Sequence, residues 1–259
     1  PSGRYRFLAT FLKGGAATGG DTGFYVADAA EMPKVEPEVT LWGDDPDLAK
    51  WLTDHGIRNR PFASGAAQNA RELILVGNRP AAGDAKAFRE LAEHLARGSQ
   101  AVFLSFDVFK KGDDAPTFWL PLAQKGVRTG LPVWLYHKDD WAKNHPIFDG
   151  LPAGCILSDT FYREIIPNNG FNGQDGLETA VAGMIDASSN YGSALTVGVF
   201  RLGAGRFVLN TLRIRENLGK DPVAERLTRN LLRFAAADTA QPVANLPPDF
   251  ENQLKAMGY

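Results

Sequence analysis

The stretch VTLWGDDPDLAKWLTDHG, residues 39–56, decides the fold class. Its first four residues are apolar or β-branched and predict a short buried strand. Asp45 then offers a helix N-cap with Pro46 at the first helical position, and the helix DLAKWLTDH ends at Gly56. A strand that leads directly into a capped helix is the repeating unit of a parallel α/β sheet.

The same alternation continues along the chain. ELILVGN (72–78) predicts a strand covered on both faces, Asp84 caps the helix AKAFRELAEHLAR (85–97), and AVFLSF (101–106) predicts the next strand. Three strands alternating with two helices indicate a parallel, doubly wound sheet. The second half is less regular, and we expect strands, an antiparallel hairpin and one amphipathic helix there: PVWLYH (132–137), TFYREIIP (160–167), TAVAGMID (179–186), SALTVGVFRLG with RFVLNTL (193–212), and VAERLTRNLLRFAAA (223–237) behind an Asp221–Pro222 cap.

The flanking segments differ from this core. RYRFLATFLK alternates with the period of a strand, and a glycine-rich turn leads to a second strand, FYVAD. An isolated hairpin is marginal in water, so it must pack on the main body or form the edge of a preceding β-sandwich. We therefore divide the chain into a hairpin (1–30), a linker (31–38), an α/β domain (39–240) and a tail along the surface (241–259). A chain that starts at Pro1 suggests a piece of a longer protein.

Composition excludes several classes of protein. Hydrophobic residues make up 44% of the 259 residues and charged residues 22%, as in ordinary globular proteins. The net charge of −2 gives no electrostatic case for nucleic acid or an anionic membrane, and no apolar run is long enough to span a bilayer. The single cysteine, Cys155, excludes an internal disulfide and a multi-cysteine zinc site, and we expect it to pack in the interior.

The order of strands and helices resembles the class I glutamine amidotransferase-like fold, which also occurs in the trimerisation domain of some β-galactosidases and in ThuA-like proteins. Three segments look like the C-terminal part of bacterial glycoside hydrolases related to family 2: HPIFDGLPAG (145–154), TFYREIIP (160–167) and GRFVLNTLRIRENLGKDPVAERLTRNLLRFAA (205–236). The hairpin looks like the closing strands of a β-sandwich in such enzymes. The resemblance implies a three-layer, flavodoxin-like α/β domain that is an accessory part of a carbohydrate-active protein. It also favours a periplasmic or secreted location.

The catalytic triad of an amidotransferase is missing from the sequence. That chemistry needs a cysteine on a tight strand-to-helix turn and a histidine to activate it. Ser105 holds the turn position, the flanking glycines are absent, and the four histidines (55, 94, 137 and 145) all precede the place where the family would have its own. We interpret Ser105 as a strand-end serine that bonds the local backbone. No GxGxxG or Walker pattern follows a strand, so no cofactor is predicted.

Two further clusters contain residue types suited to metal binding or to glycosidase catalysis, but their spacing does not match either function. HKDDWAKNH (137–145) holds two His and two Asp, but it matches no metal-ligand pattern, and we interpret it as a solvated loop or a helix start capped by Asp139 or Asp140. Asp159 and Glu164 are a tempting glycosidase pair. On a strand, however, positions an odd number apart point to opposite faces. We therefore predict no metal and no catalytic residue.

The predicted binding crevice lies at the carboxyl ends of the parallel strands, where α/β sheets bind ligands. Its candidate residues are Asp44, Asn78, Arg79, Ser105, Asp107, Arg213, Arg215, Glu216 and Asn217. They could hold a polyhydroxylated ligand, form an internal salt-bridge network, or contact a sister subunit or a catalytic domain. The candidate platforms for stacking on a sugar are Trp134, Tyr136, Trp141 and Tyr162.

We predict a non-catalytic accessory domain of a bacterial glycoside hydrolase, which supports the catalytic domain of the same parent chain, mediates homo-oligomerisation, or does both. Trp119, Trp134 and Trp141 would suit such an interface, although they could equally be core. A carbohydrate-binding module is the first rival. The second is a ThuA-like hydrolase, which needs Asp107, Glu164 or Glu216 to converge with a histidine.

Overall fold

A two-stranded hairpin and a large mixed sheet with helices on both faces make up the fold. The structure is a computed structural model, and it describes residues 1–11, 19–26, 28–77, 85–105, 127–130, 138–159, 161–172, 176–186 and 191–257. The strands are β1 (Gly3–Ala9), β2 (Gly20–Val26), β3 (Val39–Trp42), β4 (Asn59–Pro61), β5 (Leu73–Val76), β6 (Gln100–Phe103), β7 (Val127–Gly130), β8 (Asp139–Ala142), β9 (Cys155–Ile156), β10 (Asn169–Asn172), β11 (Leu177–Asp186), β12 (Gly192–Leu202) and β13 (Gly205–Asn210). The helices are α1 (Pro46–Asp54), α2 (Ala85–Ala96), α3 (Ile214–Asn217), α4 (Pro222–Ala236) and α5 (Phe250–Met257).

The main sheet has a parallel half and an antiparallel half. Its strands run in the order β4-β3-β5-β6-β13-β12-β11-β8-β9, and β10 pairs with β12 and β7. The five strands from β4 to β13 are mutually parallel, which confirms the predicted parallel pairing of β3, β5 and β6. From β13 onward every pairing is antiparallel, so the sheet is mixed and not wholly parallel. The short edge strand β4 was not predicted, because it holds only the polar residues Asn59 and Arg60 and a proline.

Alternating side chains of the parallel strands fill two cores, one on each face of the sheet. On one face, Val39 and Leu41 of β3 join a cluster with residues of α1 and α4. On the other face, Trp42 joins a cluster with residues of α2 and α5. Both faces are covered, which explains the continuous apolar run LILV of β5, whose four residues are all buried.

The helix caps predicted at Asp45 and Asp221 are confirmed. Asp45 accepts a hydrogen bond from the backbone N–H of Leu48 at 3.0 Å, and Pro46 is the first residue of α1. Asp221 accepts from the N–H of Val223 at 2.8 Å, with Pro222 first in α4. The third predicted cap, Asp84, lies outside the described residues. Among the described residues, no helix combines the length and the apolar character that crossing a bilayer requires.

The N-terminal hairpin has one face toward the body and one face away from it. In the antiparallel β1–β2 register, Arg4 pairs with Tyr25 and Tyr5 pairs with Phe24. Tyr25 packs edge-on against Phe161 of the body at 5.7 Å, and Arg4 lies over the same ring. The opposite face consists of Gly3, Tyr5, Phe7, Ala9, Gly20, Thr22, Phe24 and Val26 and carries no charge. We call these eight residues the outward hairpin face.

Three local predictions differ from the structure. Residues 161–167 of TFYREIIP do not form a strand: they form turns in which the N–H groups of Tyr162 and Ile166 donate to the carbonyls of Ser158 and Tyr162. DDWA is strand β8, not a solvated loop or a capped helix start. The tail contains helix α5, which buries Phe250 and Leu254 and so does not simply lie along the surface. The predicted strand PVWLYH lies outside the described residues.

Candidate functional site

The predicted crevice lies where β3, β5, β6 and β13 end, and an internal network occupies much of it. Asp44 follows β3 and is exposed, and Ser105 follows β6 and is half-buried. Asn78, Arg79 and Asp107 lie outside the described residues. The four candidates behind β13 sit on or beside the short helix α3, because β13 ends at Asn210 and α3 begins at Ile214.

Arg215 makes the central contact of this edge. Its Nε donates to Asp45 Oδ2 at 2.9 Å and its Nη2 to Asp45 Oδ1 at 2.6 Å. Asp45 is only 7% exposed, so this bidentate ion pair is largely desolvated. Bidentate arginine–carboxylate hydrogen bonds are stronger than hydrogen bonds between neutral groups. The hydrogen bonds that Arg215 donates to Asp45 raise the pKa of Arg215, although partial burial opposes this shift. The pair fastens the start of α1 to α3.

Two buried asparagines fix the loops around that pair. The side-chain amide of Asn217 donates to the carbonyls of Glu164 and Arg213, both at 2.7 Å. The amide of Asn210, at the end of β13, donates to the carbonyls of Leu104 and Leu212 at 3.2 Å. Each asparagine satisfies backbone carbonyls that a buried loop would otherwise leave unpaired. Asn210 and Asp45 belong to the network but were not among the predicted crevice residues. The sequence indicated Asn210 only as the end of a strand and Asp45 only as a helix cap, and neither pattern predicts a place in the crevice.

The remaining charged candidates face solvent. Arg213 is exposed, and its backbone N–H donates to the carbonyl of Ile165 at 2.8 Å. Glu216 is exposed, as is Glu164 on the turn segment nearby. Asp159 and Glu164 do not lie on a strand, so the expectation that they face opposite sides of one has no structural basis.

The described histidines have partners away from Ser105. His94 bonds Glu72, just before β5, which is the opposite end of the sheet from Ser105. His55 Nδ1 donates to the carbonyl of Trp51 at 2.8 Å. His145 Nδ1 accepts from the N–H of Ile147, its ring packs against Phe234, and burial lowers its pKa. His137 lies outside the described residues.

Cys155 is exposed on the edge strand β9, so the prediction that it packs in the interior is wrong. Strand β9 has only two residues, both exposed, and it lies at the edge of the sheet beside β8. The surrounding LPAG turn gave no periodic signal from which this exposure could have been predicted.

A buried ion pair replaces the solvated loop predicted for HKDDWAKNH. Lys138 Nζ lies 2.5 Å from Asp140 Oδ2, and both side chains are almost wholly buried. Burial raises the pKa of Asp140 although Lys138 opposes that shift. In the described part of the chain, no cluster of three or more His, Cys, Asp or Glu could hold a metal ion.

The candidate sugar platforms do not form one exposed patch. Tyr162 is 1% exposed, and its hydroxyl donates to the carbonyl of Pro152 at 2.6 Å, so its ring cannot stack on a sugar. Trp141 is half-buried and lines an apolar hollow of about 460 Å³ together with Phe171, Met184, Leu195 and Phe200. Trp134 and Tyr136 lie outside the described residues, as does Trp119.

Comparisons with known proteins leave the family open. No family model matches the chain, and no curated protein matches it. Among solved structures, a cytoplasmic protein from Salmonella typhimurium aligns at 12% identity and a TM-score of 0.43, over 89% of this chain and 95% of that one. A cytoplasmic protein from Salmonella typhimurium LT2 aligns at 11% and 0.42, over 91% and 96%. A cold-adapted β-galactosidase from Rahnella sp. R3 aligns at 13% and 0.43, over 82% of this chain and 32% of that one. These scores are too low to assign a fold family or a function.

Proposed function

We propose that this chain is a non-catalytic accessory domain, flavodoxin-like in its α/β core, of a bacterial glycoside hydrolase. In this role it supports the catalytic domain of the parent chain or mediates oligomerisation. The observation that carries the proposal is that Arg215 and Asn217 make internal hydrogen bonds at the carboxyl ends of the parallel strands. Both bond groups of the chain itself, where a working α/β site would direct such residues at a ligand. The sequence resemblance supplies the class of the parent enzyme.

The outward hairpin face supplies a surface for the supporting role. Phe7 is 61% exposed and Phe24 46% exposed, and within the described residues neither ring pairs with an aromatic ring of the main sheet. An uncharged, aromatic sheet face exposed to water favours burial against another apolar surface. We propose that this face packs on a neighbouring β domain of the parent chain, as the predicted closing strands of a β-sandwich would.

Carbohydrate binding remains the second candidate, and Trp141 is the observation that favours it. Its indole lines a hollow whose volume suits a small ligand, and apolar walls with an aromatic ring are typical of sugar-stacking sites. The ThuA-like hydrolase has less support, because the described histidines bond elsewhere and Glu164 and Glu216 face solvent.

One panel of aryl glycosides tests these alternatives on the purified chain. We expect no hydrolysis, and no difference between the wild type and a Glu164→Gln/Glu216→Gln variant, because neither carboxylate faces an enclosed site. Hydrolysis that the double variant abolishes would overturn the accessory role. Tryptophan fluorescence on the same panel tests binding: saturable quenching that disappears in Trp141→Ala would favour the carbohydrate-binding module instead.

A further inference from the structure

A cavity of about 350 Å³ lies at the carboxyl ends of β3 and β4. Asp44, which follows β3, forms part of one side. Phe62 and Ser64, which follow β4, form a second side, and Glu90 on the first half of α2 forms a third. The Asp45–Arg215 pair does not line this space. The internal network therefore leaves one part of the carboxyl-end edge open.

The order of the parallel strands reverses beside this cavity. Strand β3 connects through α1 to β4 on one side, whereas β5, the next strand of the chain, lies on the other side of β3. The end of β3 and helix α2, which follows β5, both border the cavity. In open α/β sheets, ligands bind outside the carboxyl ends of the strands at such a reversal. The position alone thus favours a ligand site.

Two aromatic rings give the cavity an apolar wall. Phe62 is half-buried, and its ring packs against the His94 ring, which does not line the cavity, with 4.8 Å between the ring centroids. Trp42 is 2% exposed and packs edge-on against Phe88 at 4.9 Å. Because residues outside the cavity support both rings, this wall is formed before any ligand arrives.

Oxygen acceptors from three separate segments form the polar wall. Ser64 Oγ donates to Glu90 Oε2 at 2.6 Å, and within the described chain Glu90 Oε1 accepts no hydrogen bond. Ser64 Oγ keeps its lone pairs as acceptors after that donation. Asp44 is exposed at the rim, and a carboxylate has about four acceptor positions, so Asp44 can accept from a ligand as well as from the chain. None of the described residues that line the cavity is basic.

We propose that this cavity binds a pyranose monosaccharide, whose hydroxyls donate to Glu90 and Asp44 and whose C–H face lies against Phe62. Hydroxyls are distributed around a sugar ring, which suits acceptors from separate segments, whereas an ammonium carries its donors on one atom. The lack of a basic group disfavours an anion. The volume is at the lower end of the range for ligand sites and suits one sugar ring. The inference does not require the accessory role.

NMR titration of the wild-type chain with the methyl pyranosides of glucose, galactose and mannose tests the site. The reporters are the backbone amides of Gly43 and Ser64, and the Trp141 indole N–H reports on the other hollow. We expect saturable shifts at both amides with at least one sugar, with a dissociation constant on the order of 1–10 mM. Cyclohexanol, which lacks vicinal hydroxyls, and n-propylammonium chloride should leave both amides in place. Equal shifts with either control, no shift with any sugar up to about 100 mM, or shifts at Trp141 alone would overturn the proposal.

Two variants on helix α2 separate binding from structure. Glu90→Ala removes a carboxylate that lines the cavity, and we expect at least about tenfold weaker sugar binding. Glu93→Ala removes a carboxylate of the same helix that bonds Arg89 and does not line the cavity, and we expect affinity within about twofold of wild type. If Glu90→Ala does not fold, Ser64→Ala, at an exposed position, deletes the hydroxyl that bonds Glu90 and should weaken binding about fivefold. Equal affinity of the tested variant and wild type would contradict the assignment.

Discussion

At the scale of single residues, Asp45 combines two structural roles in one carboxylate. Its Oδ1 caps α1 through the N–H of Leu48, and the same oxygen also accepts from Arg215 Nη2. The side chain is nearly buried, so the cap alone would leave a desolvated charge without a counter-charge. Arg215 supplies that counter-charge from a residue 170 positions later in the chain, which ties the first βα unit to the last one.

Arg215→Met should destabilise the fold, because among the described residues it leaves the buried Asp45 carboxylate with only the N–H of Leu48. Breaking a buried pair from one side costs about 3–5 kcal/mol, and the partial exposure of Arg215 reduces this to about 2 kcal/mol. Urea unfolding measures the loss. Arg213→Met is the matched control: its side chain is exposed, and we expect a change below about 0.5 kcal/mol. Equal losses for both variants would refute the role of the pair.

At the scale of secondary-structure elements, the hairpin β12–β13 must approach the end of α2 closely. A Cβ atom at Gly205 would collide with the backbone carbonyl oxygens of Leu95 and Ser99. The Ala204 N–H donates to the carbonyl of Ala96 at 3.0 Å in the same turn. Leu95 belongs to the last turn of α2 and Ser99 directly precedes β6, so neither backbone carbonyl can move without disturbing an element, and glycine is required at this position by space and not by backbone angle.

Gly205→Ala should therefore cost about 3 kcal/mol or more of unfolding free energy, since the added methyl group meets backbone atoms on two sides. Thermal or urea unfolding checks this. Gly20→Ala provides the comparison: that glycine also lies on a strand, but a Cβ there would meet nothing within 4 Å. We expect the Gly20 variant to stay within about 0.5 kcal/mol of wild type. Similar stability of the two variants would contradict the close packing of β13 on α2.

The secondary-structure elements also show which parts of the fold could be predicted from the sequence and which could not. Strands β3, β5, β6 and helices α1 and α4 were predictable because each carries local signals, an apolar run or an Asp-Pro cap. The strand predicted for TFYREIIP was wrong, because its apolar residues Tyr162 and Ile165 are buried by turns and not by pairing in a sheet. The pairing of Arg215 with Asp45 could not be predicted, because it joins distant segments whose charges have many other possible partners.

At the scale of the whole molecule, the described residues form two sheets, the N-terminal hairpin and the large mixed sheet. The hairpin pairs only with itself, and no strand of the main sheet bonds β1 or β2 in the described chain. Its links to the body include Tyr25, which meets the Phe161 ring and accepts a hydrogen bond from Arg226 at 3.2 Å, and Arg4, whose guanidinium lies over the same ring. A two-stranded sheet held this way should open more readily than the large sheet, because it buries little apolar surface of its own.

Tyr25→Ala should release the hairpin and leave the body folded. The lost ring contact and hydrogen bond together are worth about 1–2 kcal/mol, so amide hydrogen exchange in β1 and β2 should become about 10-fold faster. Exchange in β13 should not change, because its protection reports unfolding of the main sheet. Phe7→Ala changes an exposed ring on the outward hairpin face and should leave both exchange rates within about twofold of wild type. If Tyr25→Ala instead accelerated β13 equally, the hairpin and the main sheet would unfold as one cooperative unit, and the hairpin would be an integral part of the α/β domain and not a separate docking element.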